Sequence, residues 1–350
     1  MLKIIDIFAG AGGLSIGFEM AGFQPTVAVE IDQLCVSTYK AHSSNTFVES
    51  SDARTIDFIR FKNDADIVVG GPPCQPFSTG GLRKAHLDAR DMVPEFIRAV
   101  KEIEPDAFVM ENVSGLASGS RKLYLNEILE AFRCLGYYVS NAVLKAEEFG
   151  VPQRRRRLFI VGSRKPGFSF PLASHGPSEG QNEIVLAGDV LTAEPQGNPN
   201  NSKVFYAKKV DIRPSPYHGL LFNGGGRAID LLQPSATIIS SAGGNKTHFI
   251  DTLNIVPEYH KYLLNGGKPK TGEVPGCRRI TTLESARLQT FPDEVSFSGP
   301  QSAQYRQIGN AVPPLLAKAV AISLKNHLIG IVESPVFQPE YCEGNQLQLI

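Results

Sequence analysis

Residues 2–13, LKIIDIFAGAGG, read as an apolar strand that runs into a glycine turn, and residues 13–21 continue as a helix. Strand, glycine turn and helix in that order make the opening unit of a sheet whose ligand sits at the helix N-terminus. Outward from it, short β-branched runs at 26–30, 46–48, 66–70, 107–111, 139–144 and 157–163 alternate with helical patterns at 33–41, 91–103 and 122–135. That alternation predicts an α/β fold built on a parallel sheet with crossover helices. After Pro166 the composition turns to Pro, Gly, Asn and Ser, with GNPNNS at 197–202 and NGGG at 223–226. A smaller irregular domain follows, in which regular helices are not expected. A helix at 313–327 restores the globular pattern, although periodicity alone leaves open whether it rejoins the first domain. Residues 331–350 read as a loosely held tail.

With 350 residues, 42% of them hydrophobic, the chain can bury a full core, which excludes the disordered and fibrous classes. Lys plus Arg equals Asp plus Glu at 35 each, so no global basic field announces a polyanion. Residues 151–290 nevertheless carry 18 Lys and Arg against 10 Asp and Glu, a candidate polyanion face. Five cysteines, an odd number without a CxxC pair, argue against a disulfide framework or a cysteine metal site and for a reducing compartment. No apolar run is long enough for a membrane span, and Asp6 interrupts the apolar start, so a soluble cytoplasmic protein is expected.

The glycines of the first turn run G-x-G-G and then Gly17, a poor fit to the dinucleotide spacing. The next strand ends in Glu30-Ile31-Asp32, where a carboxylate can accept both ribose hydroxyls of a nucleoside. Asp52, after the third strand, could accept the exocyclic amine of an adenine, with Ile31 packed on the ring. Singly, each acid reads as a solvated strand end; as an ordered set they describe an adenosine site without a phosphate clamp, as S-adenosylmethionine requires. The buried run Ala65–Gly71 then delivers Pro72-Pro73-Cys74-Gln75-Pro76-Phe77-Ser78 at the ligand-binding edge of the sheet. Flanking prolines suit a rigid exposed turn better than core filler. The following strand ends in Glu111-Asn112-Val113, so a thiol and a carboxylic acid converge beside a methyl donor. That pairing suits conjugate addition to C6 of cytosine, with the acid on N3, which makes C5 nucleophilic enough to take a methyl group. A free thiol with a pKa of about 8.5 is mostly protonated at neutral pH, and the arginine run at 154–157 is the obvious source of help.

In order along the chain these residues resemble the DNA cytosine-5 methyltransferase family, of the bacterial restriction–modification type. DIFAGAGG at 6–13, VEID at 29–32, Asp52, GGPPCQPFS at 70–78, ENV at 111–113, QRRRR at 153–157, RRITTLESARLQTFP at 278–292 and QIGNAVPP at 307–314 are similar to successive family motifs. The resemblance implies a Rossmann-like S-adenosylmethionine-dependent methyltransferase domain over 1–170, a small target-recognition domain over 171–300, a returning segment at 301–330 and the tail at 331–350. It implies Cys74 as nucleophile, Glu111 as acid, and Arg155 and Arg157 as the pair holding the target nucleotide. The cofactor would lie among Phe8, Ala9, Gly10, Gly12, Gly13, Leu14, Glu30, Ile31, Asp52, Ala53, Pro73, Asn310 and Val312, with no metal. The segment 74–93 resembles the family's mobile loop that closes over DNA, with Asp91 where many members carry Gly or Asn. The implied protein is a monomer that flips a cytosine out of a specific double-stranded DNA site and protects it from a cognate endonuclease.

Base reading is expected from the loops 223–227 and 240–248, with Asn223, Arg227, Ser240, Ser241, Asn245, Lys246 and Thr247 as donors and acceptors. The alternative is a tRNA cytosine-5 methyltransferase of the same family; the long variable stretch at 173–277 and Pro76-Phe77-Ser78 speak against it. A catalytically silent DNA-binding relative would tend to lose the cysteine or the Glu-Asn-Val, both of which are intact. A nicotinamide oxidoreductase is the remaining option.

Overall fold

Seven strands form the central sheet: β1 (Lys3–Ile7), β2 (Gln24–Val29), β3 (Phe47–Glu49), β4 (Ile67–Gly70), β5 (Ala107–Val113), β6 (Tyr138–Lys145) and β7 (Arg156–Ser163). Their order is β3-β2-β1-β4-β5-β7-β6. The computed structural model describes residues 1–62, 64–74 and 90–330. Most of the expected 74–93 loop, including Gln75, Pro76, Phe77 and Ser78, and the whole 331–350 tail lie outside the described residues.

Strands β1 to β5 pair in parallel, but β7 runs antiparallel to both β5 and β6. This corrects the all-parallel expectation. The 146–155 connection holds only a short 3-10 turn, Ala146–Phe149, and returns the chain as a hairpin where a parallel pairing would need a crossover helix.

Strand residues alternate between two cores, the period of two that a sheet covered on both faces requires. Ile5, Ile7, Val68, Phe108, Met110 and Ile160 face the helices α3 (Val93–Ile103) and α4 (Lys122–Cys134), and Phe108 stacks on Phe132 with ring centroids 4.0 Å apart. Ile4, Val69, Val109, Phe159 and Val161 share the other core with α1 (Gly13–Met20) and α8 (Pro314–Ile329). Helix α8 lies so close to α1 that a Cβ at Gly17 would stand 2.5 Å from the Pro314 carbonyl oxygen. Lys325 Nζ donates to the Ala21 carbonyl at 2.9 Å, so the chain does return to the first sheet.

Between these parts lie two small antiparallel pairs, β8 (Tyr206–Ile212) with β9 (Gly219–Phe222) and β10 (Phe249–Asp251) with β11 (Cys277–Arg279). They share a core of Leu221, Phe222, Phe249, Val256, Tyr259 and Leu263. Two helices stand where none was expected, α5 (Ile255–Leu264) and α6 (Thr282–Leu288). Asp251 holds the start of α5 by accepting from Leu253 N–H and Val256 N–H at 3.1 and 2.7 Å. A reciprocal capping box starts α6: Thr281 Oγ1 accepts from Glu284 N–H at 3.1 Å and Glu284 accepts from Thr281 N–H at 2.8 Å. Helix α7 (Gln301–Asn310) then leads into α8. No described helix is long and apolar enough to cross a membrane.

Candidate active site

The carboxyl ends of β1, β2, β4 and β5 open into a cavity of about 810 Å³ closed on its far side by Thr237–Ser240 and the turn between α7 and α8. Cys74, Glu111, Arg155 and Arg157 line it together with Phe8, Ala9, Gly10, Gly13, Leu14, Glu30, Ile31, Asp52, Ala53, Pro73, Asn310 and Val312. Gly12 is the exception. It is the left-handed N-cap of α1, at φ 87°, and a Cβ there would press on the His42 ring at 2.9 Å, so it shapes the turn from behind.

Cys74 follows β4 on a backbone clamped from two sides. Asn112 Nδ2 donates to the Pro72 carbonyl at 3.0 Å, and Met92 N–H donates to the Pro73 carbonyl at 2.9 Å. Burial and then the Asp91 carboxylate push the Cys74 thiol up to about 11, with Arg121 acting in the opposite direction. The cation that opposes this rise is Arg121, where help from the arginine run at 154–157 was expected; Arg157 of that run pairs instead with Glu111. Arg157 Nε lies 2.7 Å from Glu111 Oε1. Glu111 is buried, which raises its pKa, and Arg157 and then Arg155 pull it back. A Cβ at position 71 would stand 3.1 Å from Glu111 Oε2, so the glycine lets the carboxyl lie close against the backbone.

Arg155 departs from its expected role. Its side chain is 1% exposed and its guanidinium donates to the carbonyls of Ile238, Gly309 and Ala311 at 2.9, 2.7 and 2.9 Å. A buried fork committed to three carbonyls is a structural tie, and Arg157 is the member of the pair left beside the chemistry. Gln153, fully buried, accepts from Ile238 N–H at 3.1 Å and donates to Gln289 Oε1 at 2.8 Å. Gln289 in turn donates to Ile308 O and Ala311 O at 2.7 and 3.1 Å.

At the other end of the cavity Phe8 sits in the left-handed region at φ 64°, its N–H and that of Ala9 both donating to Val29 O. Such backbone strain in a non-glycine residue collects at ligand sites. Glu30 Oε2 accepts from Gly10 N–H, and Oε1 from Ile31 and Asp32 N–H, each at 2.8 Å. Three of roughly four lone-pair positions are thus used by the protein's own backbone. Ile31 is 60% exposed beside it. Asp52 is held by Arg54, with Nε and Nη2 at 3.0 and 2.5 Å, and that partner keeps its pKa below the ordinary value. Arg54 and Arg306 were not anticipated. Arg306 bonds Asp32 at 3.0 Å and so ties α7 to the start of α2 (Gln33–His42).

Among the described residues, each arginine that lines the cavity is therefore already committed: Arg54 to Asp52, Arg306 to Asp32, Arg157 to Glu111 and Arg155 to carbonyls. That donor set offers no free cation to a phosphate but keeps acceptors for hydroxyls and an apolar face, which fits a nucleoside without phosphates. Beside it stand a thiol and a buried carboxyl, the pair that conjugate addition needs.

Comparison with known proteins adds to this picture. Residues 2–326 match the family described as C-5 cytosine-specific DNA methylase. The Type II methyltransferase M.XorII of Xanthomonas oryzae pv. oryzae is 35% identical, over 95% of this chain and 86% of that one. The Type II methyltransferase M1.HphI of Haemophilus parahaemolyticus is 36% identical, over 91% of this chain and 86% of its own length. Among solved structures, S. pombe Dnmt2 methyltransferase superposes with a TM-score of 0.67 at 18% identity, covering 94% of this chain and 99% of that one. The Entamoeba histolytica methyltransferase EhMeth does so at 0.69 and 14%, covering 94% and 99%. At these identities the two structures show the shared fold.

Proposed function

This chain belongs to the C-5 cytosine-specific DNA methylase family and is a DNA cytosine-5 methyltransferase, and we propose that it draws its methyl group from S-adenosylmethionine and works through Cys74 and Glu111. The observation that carries the proposal is the convergence of the clamped Cys74, the Arg157–Glu111 pair and the phosphate-free nucleoside pocket on one cavity. When bound, S-adenosylmethionine supplies an electrophilic methyl group. Glu30 would accept one ribose hydroxyl, Ile31 would cover the adenine, and Phe8, Asn310 and Val312 would close the pocket.

Cys74 releases its thiol proton to water as Sγ adds to C6 of cytosine and Glu111 gives a proton to N3, so that the S–H bond breaks, a C–S bond forms and C5 becomes an enamine carbon. C5 takes the methyl group and then loses its proton to water; the C–S bond breaks, the thiolate leaves and regains a proton from water, and N3 returns its proton to Glu111. Burial suits Glu111 to this exchange, since it favours the protonated acid that addition requires. Because C6 of a stacked cytosine is out of reach, the base leaves the duplex at a cost of a few kcal/mol, and we assign its holding to Arg157 acting beside Glu111.

We divide the chain into a catalytic domain at 1–170, a target-recognition domain at 171–300 and a returning segment at 301–330. The Type II relatives support protection of a specific site from a partner endonuclease as the biological role. They, with the family description, favour DNA over the tRNA reading. The test is to methylate a mixed-sequence plasmid, map 5-methylcytosine by bisulfite sequencing, and repeat with Cys74→Ser and Glu111→Gln. Methylation confined to one sequence is expected, lost in Cys74→Ser and slowed at least tenfold, about 1.4 kcal/mol of barrier, in Glu111→Gln. Wild-type turnover by Cys74→Ser would overturn the mechanism.

A further inference from the structure

After β9 the chain passes through Asn223-Gly224-Gly225-Gly226 to Arg227, an exposed arginine rooted on a rigid backbone. Its N–H donates to His248 Nδ1 at 2.9 Å and its carbonyl accepts from Phe249 N–H at 3.0 Å. The glycines lie flat on a neighbouring turn: a Cβ at Gly224 would stand 2.0 Å from Asn245 O, and one at Gly226 1.8 Å from Thr247 O. Among the described residues its guanidinium has no carboxylate, carbonyl or aromatic partner. It lines a groove of about 530 Å³ with Arg213 and His218, where Arg213 is already paired to Asp211 at 3.0 Å.

His248 connects this groove to the active site. It is 7% exposed; since Nδ1 accepts from Arg227, Nε2 carries the proton and donates to Thr237 O at 3.2 Å. Thr237 is part of the active-site wall. One neutral imidazole therefore spans the root of Arg227 and the rim of the cytosine cavity. Of the other expected readers, Asn223 Oδ1 is used by Phe205 N–H and by Arg279, and Thr247 is buried against Asn200, so both serve the turns.

We propose that Arg227 reads a guanine beside the target cytosine, with two guanidinium N–H groups on N7 and O6, and that His248 is a positioning residue that keeps this contact in register with the active site. The inference rests on the DNA methylation reading above. Two convergent donors on a fixed root match guanine, which alone offers two acceptors to the major groove; adenine offers an acceptor and a donor, thymine one acceptor and cytosine a donor.

The experiment methylates duplexes randomised at the positions flanking a cytosine and reads the products by bisulfite sequencing. Wild type is expected to require guanine at one position. Arg227→Ala and Arg227→Lys should each lose that preference by about tenfold or more while the other positions stay selective, since a lysine lacks the fork. His248→Leu should blur the same position, and His248→Gln, which keeps an acceptor and a donor, should restore most of it. Unfolding midpoints check that each variant is folded. Retained selectivity in Arg227→Lys, or weakening of all sequences alike in Arg227→Ala with a salt slope lowered by about one, would make Arg227 a phosphate contact and overturn the proposal. If wild type leaves no 5-methylcytosine in any duplex, the methylation reading itself fails and takes this inference with it, an outcome distinct from failure of the arginine variants alone.

Discussion

Cys74 waits as a neutral thiol. Burial and the Asp91 carboxylate both oppose ionisation, and Arg121 offsets them only in part, leaving the thiol pushed up to about 11. Asp91 is itself fixed, its Oδ1 accepting from Val93 N–H at 3.1 Å and its Oδ2 from the Tyr124 hydroxyl. A protonated thiol would resist stray electrophiles in the free protein, and under the proposed mechanism its proton would leave as the base arrives. Alkylation of Cys74 by iodoacetamide, followed by peptide mass spectrometry with the exposed Cys134 as internal control, should be slow at pH 7 and rise steeply only toward pH 11. Asp91→Asn keeps an acceptor for the helix cap but removes the negative charge, so the midpoint should move to lower pH. A wild-type midpoint near 8.5, the value of a free thiol, would show that the microenvironment does not restrain the sulfur.

The turn between β1 and α1 has its own titration. Asp6 is fully buried, accepts from Ser15 Oγ at 2.6 Å through one oxygen and leaves the other without a partner, and burial raises it to about 7. A carboxyl raised in the folded state favours folding while protonated, so stability should be greatest below pH 4 as far as this group is concerned and decline as pH rises through 7. Asp6→Asn should flatten that slope, worth about 1–3 kcal/mol by urea titration at pH 4.5 and 8; parallel slopes would remove Asp6 from the account. The link that joins β7 to the α7–α8 turn is probed by Arg155→Met, which strands three buried carbonyls. It should cost about 3–5 kcal/mol of stability, whereas a variant that binds DNA poorly but unfolds like wild type would return Arg155 to the nucleotide. Much of this was readable from sequence where chemistry sits at a strand end: the turn at 6–13, Glu30, Cys74 and Glu111 occupy positions that alternation alone locates. What escaped is set by long-range partners. Nothing local distinguishes Arg155 from Arg157, because their fates depend on carbonyls near 238 and 310 and on a carboxylate at 111. The reversal of β7 was hidden because a buried strand reads alike in either direction. The start of α6 was legible, since Thr281 and Glu284 spell a capping box, but the glycines and prolines around it drowned the signal; α5 begins on an Asp251 carboxylate in a β-strand, which no helix pattern reveals.

Over the whole molecule, the proposed base flipping implies an energetic signature: a mispaired target cytosine has already lost part of its pairing energy, so the protein should bind it more tightly than the matched duplex at fixed salt. Equal affinities, with 2-aminopurine at the target remaining quenched, would mean that the base stays stacked. The buried plate of Arg155, Gln153 and Gln289 carries a different consequence. It bonds the backbone at Ile238, on the wall assigned above to the substrate base, and the backbone at 308–311, on the wall assigned to the nucleoside. A ligand that tightens one wall is therefore expected to shift the equilibrium of the other, and thermodynamic linkage makes any such effect reciprocal. The factor by which S-adenosylhomocysteine raises DNA affinity should equal the factor by which DNA raises S-adenosylhomocysteine affinity, both above one, and Gln153→Met, which removes the side chain's bonds to Ile238 and Gln289 without burying a charge, should shrink both together. A factor of one in either direction would show the two walls to be independent. If the coupling holds, a protein starved of cofactor relinquishes DNA in the same proportion that a protein without DNA relinquishes cofactor, and supply of the methyl donor becomes a setting on genome occupancy.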